Sequence, residues 1–237
     1  MKLKNRYKGQ PLSLFLRTIV DLSALITVLV LLSVVGYILI KGIPNLNLSL
    51  FEWTYTTENA SMMPAIINTL SITAIALLIA VPFGIFSAIY LVEYAKRGSK
   101  LVELVRLTTE TLSGIPSIVY GLFGYLMFVV ALEWSYSLLA GTLTLAIMIL
   151  PLIMRTTEEA LKAVPDSYRE GSFGLGAGKL RTVFKIVLPS AVPGILSGII
   201  LGIGRIVGET AALIYTAGTV TGVASSLFSS GRTLSVH

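Results

Sequence analysis

The stretch "VPGILSGIILGIGRIVGETAALIYTA", residues 192–217, decides the fold class, and its only charged residues are Arg205 and Glu209. A run of about 20 apolar residues is long enough to cross a bilayer as a helix. A charge at the bilayer centre costs roughly 3 kcal/mol even on the most lenient insertion scale, so such charges are functional by default. The stretch therefore predicts a transmembrane helix that carries a functional site.

The composition extends this prediction to the whole chain of 237 residues. Hydrophobic residues make up 54% and charged residues 13%, with a mean hydropathy of +0.85. This is too apolar for an ordinary soluble domain and predicts one all-α, multi-pass membrane domain. The absence of cysteine and the single histidine, His237, exclude disulfides, thiol chemistry and a histidine-based metal or catalytic cluster. We therefore expect no catalytic residue and no metal site.

Five apolar segments predict five spans, at about 17–40, 64–93, 105–132, 137–155 and 190–217. We expect "VPFG" to break the second span and Gly-Ile-Pro to break the third, with Pro151 near the end of the fourth. The predicted organisation is an N-terminus at 1–16, a membrane domain at 17–217 with a polar loop at 155–189, and a tail at 218–237. The odd span count leaves this Gly/Ser-rich tail unanchored, and we expect a truncated chain that lacks a final span.

Lysine and arginine residues predict the orientation. They cluster before span one, between spans two and three, and between spans four and five, which all fall on one side of the membrane. Cytoplasmic connections carry such an excess, while tryptophans such as Trp53 and Trp134 favour the interface. We expect a plasma-membrane protein with a cytoplasmic N-terminus. Topology explains the net charge of +6, so nucleic-acid binding need not be invoked.

The stretch "FGLGAGKL", residues 173–180, looks like a phosphate-binding P-loop but fails at both ends. The motif begins with glycine and ends Lys-Ser or Lys-Thr, whereas this stretch has Phe173 and Leu180 at those positions. We expect no nucleotide or other cofactor in this chain, and any ATP to be bound by another subunit.

On a helical wheel, residues 192–217 carry one small and polar stripe and one aliphatic face. The stripe is formed by Gly194, Gly198, Gly202, Arg205, Glu209, Ala212 and Thr216. Small residues four positions apart allow close helix packing in membranes. We expect Arg205 and Glu209, one turn apart, to pair inside the protein. Two interpretations remain open. The pair lines an anion path, because the fork of an arginine side chain matches phosphate oxygens, or the pair only fixes the packing of the helix.

Two further clusters are candidates for the same path. Arg155 and Glu158, in "RTTEEAL", are three residues apart and can pair on a helix; the alternative is an interfacial anchor. Glu110, with neighbouring hydroxyls, precedes the Gly-Ile-Pro break. Broken helices at membrane depth occur where backbone is buried or lines a cavity, so this stretch lines the path or is a packing kink.

The polar loop between spans four and five carries the first family resemblance. Ser167 and Glu170 fit a capping box that opens a short helix, and Lys179–Ile186 can form a second one that ends at Pro189. The spacing of Glu170, Gly176, Ile186, Leu188 and Pro189 resembles the EAA loop of ABC-importer permeases. That resemblance implies a coupling helix that docks on the ATPase and a type I ABC-importer permease fold.

Three longer stretches resemble the phosphate-importer permeases of the PstA type: "TETLSGIPSIVYGLFG", residues 155–218 from "RTTEEAL" to "GETAALIYTAG", and "SGRTLSVH". The resemblance implies a PstC-type permease, two ATPase subunits and an external phosphate-binding protein as partners, with inorganic phosphate as substrate. It implies roles in transport for Arg155 and Arg205 and for the position of Glu209. It also implies a further helix after "SGRTLSVH".

The residues alone leave three alternatives open. The first is a permease for another oxyanion, such as molybdate or sulfate, or for phosphonate, because arginine clusters indicate only an anion. The second is an ion-driven secondary transporter or a channel, which needs no coupling loop. The third is a structural helix bundle, which leaves the intramembrane charges without a purpose.

Overall fold

The computed structural model describes residues 11–96 and 98–237, and every regular element in these ranges is helical. Residues 1–10 of the predicted N-terminal segment 1–16 lie outside the described residues, as does Arg97. The chain divides into two units, Met1–Leu50 and Phe51–His237. The prediction of an all-α protein is confirmed.

The first unit is built on one long helix, α1, Pro11–Gly42, followed by two short 3₁₀ turns, Ile43–Asn45 and Leu48–Phe51. Its apolar side chains are exposed over its full length. Thr18, Ser23 and Thr27 donate their hydroxyls to backbone carbonyls four residues earlier, at 2.8–2.9 Å. These bonds satisfy the polar groups locally, as lipid requires.

The second unit contains eight α-helices. They are α2, Met63–Ile89; α3, Lys100–Ser113; α4, Ser117–Gly124; α5, Leu138–Ala163; α6, Asp166–Gly174; α7, Lys179–Thr182; α8, Leu188–Val207; and α9, Ala211–Thr216. π-helical segments extend α2 at Tyr90–Tyr94 and α4 at Tyr125–Ala131, and join α7 to α8 at Val183–Val187. Over both units, four described helices are long and apolar enough to span a membrane, and α3 with α4 would make a fifth.

Helix α5 lies at the centre of the second unit, between α2 and α8. Its residue Ile153 contacts both neighbours at glycines: a methyl group on Gly84 of α2 would lie 2.7 Å from Ile153 Cγ2, and one on Gly202 of α8 would lie 3.3 Å from Cδ1. Small residues let the backbones approach closely where lipid supplies no hydrophobic driving force. The core follows from this packing and includes Ile72, Leu145 and Ile149.

Two expectations about prolines are wrong, a break of the second span at "VPFG" and the place of Pro151 near the end of the fourth. Pro82 of "VPFG" lies inside a continuous α2, and Pro151 lies in the middle of α5, which continues to Ala163. Proline removes one backbone donor and kinks a helix, but a membrane helix tolerates this when its neighbours satisfy the freed groups. Helix α5 is the most buried of the spans, so close packing on both sides holds it together across Pro151.

The Gly-Ile-Pro break is confirmed. Helices α3 and α4 meet at Gly114–Pro116 with a bend of 102°. Pro116 precedes the first residue of α4, a position that its missing N–H suits. Across the bend, Tyr120 donates its hydroxyl to the carbonyl of Leu112 at 2.9 Å, which satisfies one of the carbonyls left free at the end of α3.

The expected arrangement of the polar loop needs two corrections. No side chain caps α6, whose N-cap position is Pro165, so Ser167 and Glu170 do not form a capping box. Pro189 does not end a helix either, because Lys179–Val207 is one continuous helix that passes through a π-helical turn. Pro189 lies in the first turn of α8, where proline is tolerated.

The tail at 218–237 is anchored, contrary to the expectation of a free tail. The side chain of Asn68, which is 1% exposed, donates to the carbonyls of Gly222 and Arg232 and accepts from Ala224 N–H, each at 3.1 Å. The backbone N–H groups at the start of α5 donate to Ser229 and Leu227 carbonyls. Since α5 begins with unpaired N–H groups, the returning tail supplies their acceptors.

Candidate translocation site

The close contacts between α5 and α8 show how far along the membrane span Arg205 lies. A methyl group on Gly194 would lie 2.7 Å from Ala160 Cβ, and one on Gly202 would meet Ile153, so the two helices are antiparallel and in step. Continuing this register by three residues brings Arg205 level with Leu150, close to the middle of α5. Because α5 is long enough to span a bilayer, Arg205 lies near mid-depth.

Arg205 and Glu209 do not form the expected pair. Helix α8 ends at Val207, and α9 begins at Ala211, so the two charges lie on either side of a break. The Glu209 carboxylate, one residue before the N-cap position Thr210, accepts a hydrogen bond from Ala212 N–H at 3.1 Å and so satisfies one N–H group in the first turn of α9. Arg205 is half-buried and has no hydrogen-bond or ion-pair partner within residues 11–96 and 98–237.

The predicted small stripe does face protein. Gly198 and Gly202 are buried against α5, and Ala212 and Thr216 are buried on the α9 side. Helix α9 packs on α4, where Gly121 would carry a methyl group 2.8 Å from Ala212 Cα. The opposite face of α8 is largely exposed, as at Leu196 and Ile200. The sequence therefore predicted the inner face correctly but missed the break after Val207.

A second group of charges lies where α2 and α5 end and α3 begins, which we call the basic end. Arg155 pairs with Glu159, 3.2 Å away, and not with Glu158 as expected. Glu158 Oε1 instead lies 2.7 Å from Arg106 Nε and 2.6 Å from Lys162 Nζ. On a helix, Arg155 can reach a carboxylate three or four residues later, so Glu158 and Glu159 are both possible partners. Because α3 brings Arg106 to Glu158, Arg155 pairs with Glu159.

Three of the predicted path residues meet at this end. A cleft of about 190 Å³ is lined by Glu110, Arg155 and Glu158, together with Arg106, Glu159 and Lys162. Sequence reasoning used Arg106 and Lys162 only to assign topology and missed them as members of this group. The sequence contains no signal for this contact, because Arg106 and Glu158 are 52 residues apart and no spacing rule relates them.

The predicted coupling-loop residues occupy an exposed projection at the basic end. Glu170 lies on α6 with its side chain in solvent, and Gly176 has a φ of +81°, which glycine adopts without strain. Leu175 beside it is 91% exposed. Ile186, Leu188 and Pro189 lie in the π-helical turn and the start of α8.

An ion pair missed by the sequence analysis holds this projection in place. Arg169 of α6 donates to Glu93 Oε1 at 2.8 Å and to the carbonyls of Leu161 and Val164. The Arg169 side chain is 15% exposed and that of Glu93 8%. Arg169 thereby ties α6 to the ends of both α2 and α5.

Residues 80–235 match the family described as binding-protein-dependent transport system inner membrane component. The chain belongs to this family. The matched range begins inside α2 and includes the break at Gly114–Pro116, the charges of the basic end and both halves of the α8–α9 span. Members of this family are membrane components of transport systems and not enzymes, as the sequence analysis expected.

Curated relatives agree with the predicted resemblance. The chain is 37% identical over 84% of its length to the probable ABC transporter permease protein YqgI of Bacillus subtilis, and it covers 68% of that protein. It is 42% identical over 74% of its length to the phosphate transport system permease protein PstA of Yersinia pestis, covering 60%. It is 41% identical over 65% of its length to the phosphate transport system permease protein PstA 1 of Mycobacterium tuberculosis, and it covers 50% of that protein. The chain thus spans about half to two thirds of the length of these relatives.

A solved structure supports the fold. An inward-facing MetNI methionine ABC transporter matches 63% of this chain and 68% of its own chain with a TM-score of 0.50, at 24% sequence identity. A likeness at this identity concerns the fold alone. It confirms the expectation of an ABC-importer permease fold for the matched region.

Proposed function

We propose that this chain is the permease subunit of an ATP-driven importer of inorganic phosphate and forms half of the translocation path. The observation that carries the proposal is Arg205, a half-buried arginine near mid-depth, beside a helix break, without a counter-ion among the residues described. An uncompensated charge at this depth is unfavourable unless an anion or a polar partner meets it. The 41–42% identity to PstA permeases supports phosphate as that anion.

The arginine chemistry fits this substrate. A guanidinium offers a planar fork of donors that matches two oxygens of a tetrahedral anion. Glu209 is held by the N-terminus of α9, so it stays near the break and limits how tightly an anion is retained. Arg155, at the basic end, would meet the anion after Arg205. The path therefore contains an arginine at mid-depth and a second one toward the basic end.

We infer that the basic end is cytoplasmic and, from the sequence alone, that the chain has a cytoplasmic N-terminus. The Lys/Arg excess supports this orientation. The exposed projection of α6, with Glu170 and Leu175, would then dock on the ATPase subunits, which bind and hydrolyse ATP. Tyr168 and Phe173 of this connection are exposed as well as Leu175, and exposed apolar surface formed by several side chains marks an interaction site. The further partners are a PstC-type permease and an extracytoplasmic phosphate-binding protein.

The proposal is tested by phosphate uptake in reconstituted vesicles that contain the full-length permease, its second permease, the ATPase and the binding protein. We expect uptake that requires ATP, persists when ionophores collapse ion gradients, and is not competed by sulfate or molybdate. Uptake of sulfate or molybdate in place of phosphate would assign another oxyanion. Loss of uptake with the ion gradient would assign a secondary transporter.

A further inference from the structure

The basic end contains a carboxylate held by two cations, which we call the basic triad: Arg106, Glu158 and Lys162. Glu158 is 8% exposed as a residue, and both cations contact its Oε1 atom, at 2.7 and 2.6 Å. Two positive charges thus share one negative charge. The neighbouring carboxylates Glu93 and Glu159 are each paired with an arginine, Arg169 and Arg155.

The two cations of the triad are only partly balanced by Glu158. Both lie within 2.7 Å of the same buried oxygen, Glu158 Oε1, so two positive charges face one negative charge. The triad therefore keeps a net charge of one positive unit, which attracts a further anion. An oxyanion that approaches Arg106 and Lys162 can compete with Glu158 for them.

The two cations are open to such an anion. Arg106 and Lys162 are half-exposed, and both line the 190 Å³ cleft and a larger cleft of about 930 Å³ beside it. The wall of the larger cleft also carries Lys96, Arg169 and Lys179, and its five cations outnumber the three carboxylates there, Glu93, Glu103 and Asp166. An oxyanion that leaves the small cleft therefore passes between Arg106 and Lys162 into more positive surroundings.

The triad links α3 to α5, against which α3 buries little apolar surface. Val102 is the one buried residue of α3, whereas Leu101, Leu104 and Leu107 are largely exposed. The helix is joined to α4 through the 102° bend at Gly114–Pro116. Because its packing on α5 is limited, the contact of Arg106 with the buried Glu158 is a specific tie between the two helices.

We propose that Arg106 and Lys162 form an oxyanion site at the basic end, in which Glu158 is a counter-ion that the transported anion displaces. Displacement frees Glu158 from Arg106 and releases α3 from α5, so arrival of the anion opens the end of the path through which it leaves. This inference rests on the proposed function for the identity of the anion, phosphate. The role of Glu158 in attaching α3 does not depend on that identity.

The test uses distances between spin labels in the reconstituted complex. The chain has no cysteine, so Leu107→Cys on α3 and Ala163→Cys on α5 give one labelled pair once the cysteines of the other subunits are replaced. Both positions are exposed and lie outside the triad. Electron–electron resonance then measures the α3–α5 distance with increasing phosphate, against chloride at equal ionic strength.

We expect phosphate, and not chloride, to produce a longer-distance population that grows with concentration. Glu158→Gln should show that population without phosphate, because a neutral amide does not hold two cations. Arg106→Gln removes the same contact from its half-exposed side and should behave alike even if the buried variant folds poorly. Glu58→Gln makes the same charge change at an exposed carboxylate that lines neither cleft, and this control should resemble the parent protein.

The outcomes separate the two proposals. Unchanged distances in both Glu158→Gln and Arg106→Gln would overturn the triad proposal, whether or not phosphate is transported. Distances that lengthen in these variants but do not respond to phosphate, in a complex that imports phosphate, would overturn the oxyanion site. Failure of the parent complex to import phosphate would overturn the proposed function alone.

Discussion

Glu209 Oε1 accepts a hydrogen bond from Ala212 N–H at 3.1 Å, and this contact starts α9 after the break that follows α8. The carboxylate is therefore used by the backbone and not by Arg205. Helix N-termini carry unpaired N–H groups and a partial positive charge, so they compete well for a nearby carboxylate. The broken span thereby leaves Arg205 without a carboxylate partner among the described residues.

Arg205→Gln is expected to abolish ATP-dependent phosphate uptake while the complex still assembles. Glutamine retains an N–H donor on a shorter side chain but loses the charge and the fork that match a phosphate. Lys41→Gln removes one positive charge from the exposed end of α1 and is the control. Unchanged uptake in an assembled Arg205→Gln complex would remove Arg205 from the path.

Glu209→Ala is expected to destabilise the second unit by about 1 kcal/mol, the typical cost of losing a helix cap. Glu209→Gln should lose much less, because its amide oxygen still accepts from Ala212 N–H. Thermal unfolding of the purified protein in detergent, followed by circular dichroism, measures the difference. Equal destabilisation by both variants would show that the charge, and not the cap, stabilises the break.

Gly198→Ala and Gly204→Ala form a matched pair on α8. A methyl group at Gly198 would lie 2.7 Å from Thr156 Cβ, whereas nothing lies within 4 Å at Gly204. We expect Gly198→Ala to destabilise by about 1–3 kcal/mol through overpacking. Gly204→Ala should be neutral or stabilise by up to about 1 kcal/mol, since alanine favours helix. The same unfolding measurement tests both, and a reversed order would contradict the α5–α8 register.

Arg169→Gln is expected to destabilise by about 3–5 kcal/mol, because it leaves the buried Glu93 carboxylate without its partner. Asp166→Asn removes a contact of Arg169 whose carboxylate is 79% exposed, and should cost less than about 1 kcal/mol. ATPase stimulation by binding protein is the second measurement, since a loosened α6 should uncouple hydrolysis from uptake. Wild-type coupling in Arg169→Gln would show that this tie is not needed.

Asn68→Ala is expected to release the tail at 218–237, because three hydrogen bonds to that segment are lost together. Asn68→Asp should release it in part, since a carboxylate accepts from Ala224 N–H but cannot donate to the carbonyls of Gly222 and Arg232. Hydrogen exchange of the tail amides measures this order. Protected amides in Asn68→Ala would mean that the bonds to α5 alone suffice.

Much of the site could be predicted because it depends on local pattern. The glycine stripe, the polar character of Arg205 and the Gly-Ile-Pro bend follow from period and from proline geometry. Pairings between separate helices could not be predicted this way. Glu158 pairs with Arg106 and not with Arg155, and Glu93 pairs with Arg169, because helix packing brings these residues together. The spacing of residues along one helix carries no information about that packing.

Hydropathy, helical period and motif spacing can be read along the chain. They predict a helical membrane protein, the inward face of α8 and the resemblance to a permease family. Only the folded protein shows that Pro82 and Pro151 are tolerated, that the last predicted span breaks after Val207, and that the tail returns to Asn68. These features depend on packing because each backbone group in a membrane domain must find a partner. Neighbouring helices and returning segments supply those partners, and their positions exist only in the folded protein.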